Sequence, residues 1–206
     1  MSLVSADPRP VTAVILAGGR ALRFQGEDKG LIELARRPLA AWVAERLSGH
    51  VAEVLINANR NLGRYAAMGH TLVPDYLPEH PGPLAGLLAA ARTAQQEWLL
   101  SVPCDTPFLP LDLVGQLHDH ALASQVKMAR AADETGTHFA IMLVHRELIA
   151  DLEDFVHSGG RQVQAWQARH ASETIYFGDD PYAFINLNTP DQLRKAERIA
   201  TRYARQ

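Results

Sequence analysis

A single cysteine, Cys104, leaves the chain no partner for an intrachain disulfide and no cysteine-cluster metal site. Its expected role is that of a small buried residue. Lysine is almost as scarce: 17 of the 20 basic residues are arginine, and only Lys29, Lys127 and Lys195 are lysine. Neither sign of charge dominates. The 20 basic and 23 acidic side chains are interspersed to a net charge of −3, which excludes a basic face for nucleic acid and a polybasic membrane patch. No apolar run approaches the ~18 residues of a membrane span. Met1 to Pro10 has neither the cationic start nor the apolar core of a secretory leader. A soluble, cytoplasmic protein is therefore expected. There is no internal repeat and no low-complexity segment.

What is present is enough apolar residue, 47% of 206, to bury a sizeable core, with charged residues held to 21%. The expected organisation is a flexible stretch over 1–10 and one domain over 11–206. The stretch around which the chain is organised begins at Val11. Val11 to Ala17 has the length and composition of a buried strand, and Gly18-Gly19 follows at once, where backbone can approach a ligand without a Cβ in the way. Arg20, Arg23 and Lys29 then place positive charge beside N–H groups that have no ladder partners, a setting suited to an anion. Lys29 is followed by Gly30 rather than Ser or Thr, so this is no Walker loop, and the dinucleotide spacing of glycines is absent. Taken alone, a Gly-Gly pair is as consistent with a surface turn.

The rest of the chain alternates strand and helix signals. Leu31 to Leu34 reads as a short extended piece. Pro38 opens an amphipathic helix to about Ser48, with Gly49 as its stop. Ala52 to Asn57 is a strand, Asn61 to Ala67 a short helix, and Thr71 to Pro74 a strand that its proline keeps from continuing a ladder. A proline-rich loop, Asp75 to Pro83, feeds a helix over Leu84 to Gln96. Trp98 to Pro103 is a buried strand that delivers Cys104-Asp105-Thr106-Pro107. A helix over Pro110 to Leu122, strands over Val126 to Ala132 and His138 to Val144 with Glu134 to Gly136 as their turn, and helices over Glu147 to His157 and Arg161 to Arg169 follow. Glu173 to Phe177 is a strand, and Pro190 begins the last helix. Trp42, Trp98 and Trp166 read as core, and the nine scattered histidines as surface or satisfied residues.

Strands joined by helical spans imply crossovers and a mainly parallel sheet covered on both faces. Ligands of such sheets lie beyond the carboxyl ends of the strands. On that rule Gly18, Asn57, Asp75 and Asp105, each at the end of a strand, share one rim beside the glycine-basic loop. A nucleotide or phosphate site is expected there.

Leu16-Ala-Gly-Gly19, Arg23 with Asp28-Lys29-Gly30, Asn57, Pro81-Gly-Pro-Leu-Ala-Gly86, Pro103-Cys-Asp-Thr-Pro107 and Asn186-Leu-Asn-Thr-Pro190 together resemble the molybdenum cofactor guanylyltransferases, from about Val11 to Leu193. One departure is Phe24-Gln25-Gly26, where that family usually reads Met-Gly after the arginine. The resemblance implies a three-layer α/β/α fold, a Rossmann-like mainly parallel sheet of the nucleotide-diphospho-sugar transferase type. It also implies Mg²⁺-dependent transfer of GMP from GTP to the phosphate of molybdenum-molybdopterin, with release of pyrophosphate. Lys29, Arg23 and Asp105 are then the catalytic candidates, with Asp105 anchoring Mg²⁺. Leu16, Ala17, Gly18, Gly19, Lys29, Asn57, Asp75 and Asp105 are candidates to bind nucleotide. Asp75, Asn57 and the Leu16 to Gly18 main chain carry the partners a guanine edge needs. Asn186 and Asn188 are candidates to hold the pterin, or else Asn188 or Thr189 caps the following helix. Molybdoenzymes or cofactor-delivery proteins are implied as further partners, and a monomer is expected. Cytidylyl transfer to the same pterin, nucleotidyl transfer to a sugar phosphate, and a non-catalytic cofactor carrier remain open.

Overall fold

The protein is described by a computed structural model covering residues 8–18, 20–21, 27–77 and 82–204. A seven-stranded sheet has the order β11-β9-β10-β8-β1-β6-β7. Its central strand, β1 (Arg9–Leu16), is parallel to β6 (Val51–Asn57) and β8 (Trp98–Pro103) on either side. Beyond β6 lies β7 (Thr71–Leu72), also parallel. On the other flank, β10 (Gly136–His145) runs antiparallel to both β8 and β9 (Met128–Asp133), and β11 (Glu173–Tyr176) closes the sheet parallel to β9. β10 had to reverse, because the turn after Asp133 is far too short for a crossover. Two small ribbons, β2 (Arg20–Ala21) with β3 (Glu27–Asp28) and β4 (Glu33–Leu34) with β5 (Arg37–Pro38), follow β1.

The three layers follow from alternation along β1. Val11, Ala13 and Ile15, all fully buried, pack on one face with α1 (Leu39–Leu47) and α4 (Leu113–Ala123). Val14 faces the opposite way, toward α3 (Pro83–Thr93), α5 (Ile149–His157) and Trp166 of α6 (Val163–Gln167). Both faces are therefore covered, as a mainly parallel sheet requires. A third cluster joins α7 (Pro190–Tyr203) to Leu34, Leu39, Trp42 and Phe108, with Phe108 and Tyr203 stacked at 4.3 Å between ring centroids. The short α2 (Leu62–Ala66) follows β6.

The expected elements are present with shifted ends. β1 begins at Arg9, two residues before the apolar run, because Arg9 N–H bonds the His50 carbonyl. The Leu31 to Leu34 stretch opens as a 3₁₀ turn over Lys29–Leu31 before β4. β7 stops before Pro74, which has no N–H to donate. Cys104 and the three tryptophans are buried, as their contexts implied. Among the described residues no helix is long and apolar enough to cross a membrane.

Candidate active site

The register of the central strands sets the site. Leu16 of β1 is level with Asn57 of β6 and with Pro103 of β8, so three chains leave the sheet at one height. Ala17 N–H still bonds the Asn57 carbonyl at 2.8 Å, and Cys104 N–H bonds the Leu16 carbonyl at 3.2 Å. Gly18, Asn57, Asp75 and Asp105 all border the cavity that opens above this rim, with a volume of about 1040 Å³.

At its β6–β7 end the cavity presents a carboxylate braced by amides. Asn57, itself 3% exposed, donates from Nδ2 to Asp75 Oδ1 at 2.8 Å and to the Val73 carbonyl at 2.9 Å. Asn59 Nδ2 donates to Asp75 Oδ2 at 2.7 Å, and its Oδ1 accepts from Asp75 N–H at 2.8 Å. Both carboxylate oxygens are thus oriented by neutral donors while each keeps a lone pair for a ligand. Asn59 was not among the expected residues, although its place two positions after Asn57, on the same side of an extended chain, was a usable signal.

In the middle of the rim, Lys29 reaches across. Its ammonium donates to Asp105 Oδ2 and to Asn188 Oδ1. The side chains of Lys29 and Asp105 are only 19% and 9% exposed, so this is a largely desolvated ion pair. The Lys29 turn is tied down from behind. Asp28 Oδ1 accepts from the Tyr65 hydroxyl at 2.5 Å and Oδ2 from Asn61 Nδ2 at 3.1 Å. Tyr65 is fully buried, and a Cβ on Gly30 would lie 2.5 Å from its hydroxyl, so glycine is what lets the two elements close. Burial, with Asp28 beside it, pushes the Tyr65 phenol far above its usual range, so it stays a donor. Asp28 was expected only as part of the Asp28-Lys29-Gly30 motif, with no role of its own, and Tyr65 was not expected from the sequence.

Asp105 is fixed by its own backbone too: its carbonyl accepts from Leu187 N–H at 3.0 Å, bringing the Asn186–Asn188 segment to the rim. Asn186 is exposed and borders the cavity. Asn188 turns to Lys29, while the helix cap falls to Thr189, whose hydroxyl accepts from Gln192 N–H at 3.2 Å. Desolvation raises the Cys104 thiol far above its usual range, so it is no nucleophile. Arg161 donates to the carbonyls of Val156 and Gly160 at the α5–α6 turn. Gly19 and Arg23 lie outside the described residues.

Among the described residues no group of three His, Cys, Asp or Glu side chains could cage a metal. The oxygens that converge on the Lys29 ammonium, one carboxylate and one amide, are nonetheless hard donors already facing a cation. They fit Mg²⁺, which takes one or two protein oxygens and completes its shell with phosphate and water.

Comparison with known proteins follows the same line. The family model described as the MobA-like NTP transferase domain matches residues 13–173. A molybdenum cofactor guanylyltransferase of Shewanella halifaxensis is 42% identical over 182 residues, covering 88% of this chain and 91% of its own. Another from Shewanella sp. strain MR-4 is 41% identical over 185 residues, covering 90% and 94%. Among solved structures, the molybdopterin-guanine dinucleotide biosynthesis protein A of Archaeoglobus fulgidus superposes with a TM-score of 0.76 at 19% identity, covering 93% of this chain and 99% of that one. CMP:2-keto-3-deoxy-manno-octonic acid synthetase in complex with CTP gives 0.73 at 14% identity, covering 93% and 98%. These two likenesses establish a shared fold.

Proposed function

Because the chain belongs to the MobA-like NTP transferase family and is a nucleotidyltransferase, we propose that it transfers GMP from GTP to the phosphate of molybdenum-molybdopterin, releasing pyrophosphate. The observation that carries this reading is the order of groups along one rim. A braced carboxylate stands at the β6–β7 end, the Lys29 turn in the middle, and Asp105 at the end of β8.

Guanine offers N1–H and a 2-amino group as adjacent donors. The two oriented oxygens of Asp75 are matched to that edge, and a base lacking those donors would leave them unpaired, which is how ATP is rejected. Lys29 leaves its contacts with Asp105 and Asn188 for the phosphates and contributes charge there, as does the Gly18 main chain. Arg23 belongs to the same phosphate-holding set. Asp105, with Asn188, would hold Mg²⁺, which when bound neutralises charge accumulating on the phosphates. An oxygen of the acceptor phosphate forms the new bond to the α-phosphorus, the bond from that phosphorus to the β-bridging oxygen breaks, and pyrophosphate leaves with the electron pair. No covalent enzyme intermediate is needed, so the chain's task is alignment and charge.

The test is pyrophosphate release with Mg²⁺ and molybdenum-loaded pterin, comparing GTP, CTP, ATP and UTP. Turnover with GTP alone is expected. Turnover with CTP would overturn the role given to Asp75 and Asn57, and turnover with none would remove the proposed acceptor.

A further inference from the structure

The rim is longer than the nucleotide groups account for. The sheet order β10-β8-β1-β6-β7 lays the base-side carboxylate, the Lys29 turn and Asp105 along one line, and the cavity continues past Asp105 onto the start of β10. β10 runs antiparallel to β8, so its first residues stand beside the carboxyl end of β8. There the strand is deformed. His138 is opposite Ala131 of β9 and Met142 is opposite Arg130, so Phe139, Ala140 and Ile141 have no counterpart. This bulge is held by buried side chains: Gln167, 1% exposed, donates to the Phe139 carbonyl at 2.9 Å, and Ser101, 0% exposed, to the Ala140 carbonyl at 2.9 Å. A bulge so anchored re-aims the residues beside it.

Two polar residues at its edge, Thr137 and the imidazole-bearing His138, border the cavity. The ring lies against Phe184, with centroids 4.6 Å apart, and its Nε2 is 3.0 Å from Asp133 Oδ1. Asp133 is itself set by Thr135, whose N–H and hydroxyl donate to Oδ1 at 2.8 and 2.6 Å. The Nε2 approach is a charge contact without hydrogen-bond geometry, and neither ring nitrogen has a hydrogen-bond partner among the described residues. An imidazole packed on Phe184 beside a carboxylate, with nitrogens left for a ligand and at the far side of Asp105 from the nucleotide groups, suits a phosphate monoester.

We infer that His138, oriented by Asp133, binds the phosphate of the acceptor substrate and aligns its oxygen with the α-phosphate. The inference rests on the nucleotidyl-transfer reading above and adds to it a second-substrate contact on β10. Two exchanges at position 138 separate the atoms of the ring. His138→Gln keeps a donor near the place of Nε2 and loses Nδ1, whereas His138→Asn keeps one near Nδ1.

The experiment is steady-state kinetics with Mg²⁺, GTP and molybdenum-loaded pterin for wild type, H138Q, H138N and D133N. It is accompanied by the GTP dissociation constant and the inhibition constant of pyrophosphate. H138Q is expected to raise the KM for the acceptor about tenfold, H138N to recover most of that loss, and D133N to show a smaller rise. GTP affinity and pyrophosphate inhibition should stay within twofold of wild type. An unchanged acceptor KM in H138Q, or equal losses in H138Q and H138N, overturns the inference. Weakened pyrophosphate inhibition assigns His138 to the leaving group and overturns it as well. A wild type that fails to turn over the pterin acceptor overturns the reading beneath it, a result distinct from wild-type turnover with an indifferent His138.

Discussion

Alanine at Gly86 should weaken both the fold and the nucleotide site, against the usual preference of a helix for alanine. Gly86 lies in α3 with its Cα against the Asn57–Asp75 cluster. A Cβ there would come within 2.5 Å of Asn57 Oδ1 and 2.7 Å of Leu16 Cδ2. Neither neighbour yields cheaply. Asn57 is 3% exposed and held by its bonds to Asp75 and to the Val73 carbonyl, while Leu16 ends the central strand. Helix propensity alone would favour alanine by about 0.5–1 kcal/mol. Overpacking costs about 1–3 kcal/mol, and if Asn57 instead swings away it gives up two hydrogen bonds of about 0.5–1.5 kcal/mol each. The balance is a net loss of about 1–2 kcal/mol in stability. Displacing Asn57 also removes one of the two amides that orient Asp75, so GTP affinity should fall about tenfold, the equivalent of about 1.4 kcal/mol. Urea denaturation measures the first effect and calorimetric titration with GTP the second. Gly49→Ala supplies the contrast. Gly49 sits at φ +81° with open space around its Cα, so alanine there should lower stability through backbone strain alone and leave GTP binding unchanged. A Gly86→Ala protein as stable as wild type, with undiminished GTP affinity, would refute the account of the Asn57–Asp75 cluster.

Tyr65→Phe leaves one Asp28 oxygen short of a donor in a buried setting and should cost about 1–3 kcal/mol of stability in urea. The loosened Lys29 turn should raise the GTP dissociation constant several-fold, and an unchanged constant would deny Asp28 its part in placing Lys29. Asp105→Asn should reduce turnover by more than about a hundredfold while Lys29 keeps its contact with Asn188 and the circular dichroism spectrum stays native; activity near wild type would remove Asp105 from the reaction. Burial lowers the affinity of His70 and His118 for a proton. For both, the unfolded chain binds more protons than the folded one just below the ordinary imidazole value, so stability is full above about pH 6.5 and declines as pH falls below it. Melting curves between pH 7.5 and 5 should show this decline, and His118→Gln should flatten part of it.

Much of the site was legible because it depends on short-range pattern. The β-branched run before Gly18 and the apolar run before Cys104-Asp105 each announce a buried strand. The rule that ligands gather at carboxyl ends then places Gly18, Asn57, Asp75 and Asp105 on one rim, where all four border the cavity. The brace around those groups was not legible. Tyr65 reaches Asp28 across 37 positions and Asn188 reaches Lys29 across 159. Nothing in local periodicity couples residues so far apart; only the packing of α2 and of the segment before α7 onto the rim does. The unpaired Phe139 to Ile141 stretch was hidden for a related reason. Its unbroken apolar run reads as ordinary strand, and the mismatch arises only when β9 and β10 pair.

By itself, then, the amino-acid sequence determined the layers, the succession of strands and helices and the chemistry of the side chains that follow the strands, because hydrophobic patterning and turn residues act within a few positions. Tertiary structure alone decided which donors each rim carboxylate meets, that Lys29 faces both Asp105 and Asn188, and that His138 stands beyond them. Those outcomes depend on how separate elements pack, and the free energy of that packing is shared among residues distant in the chain.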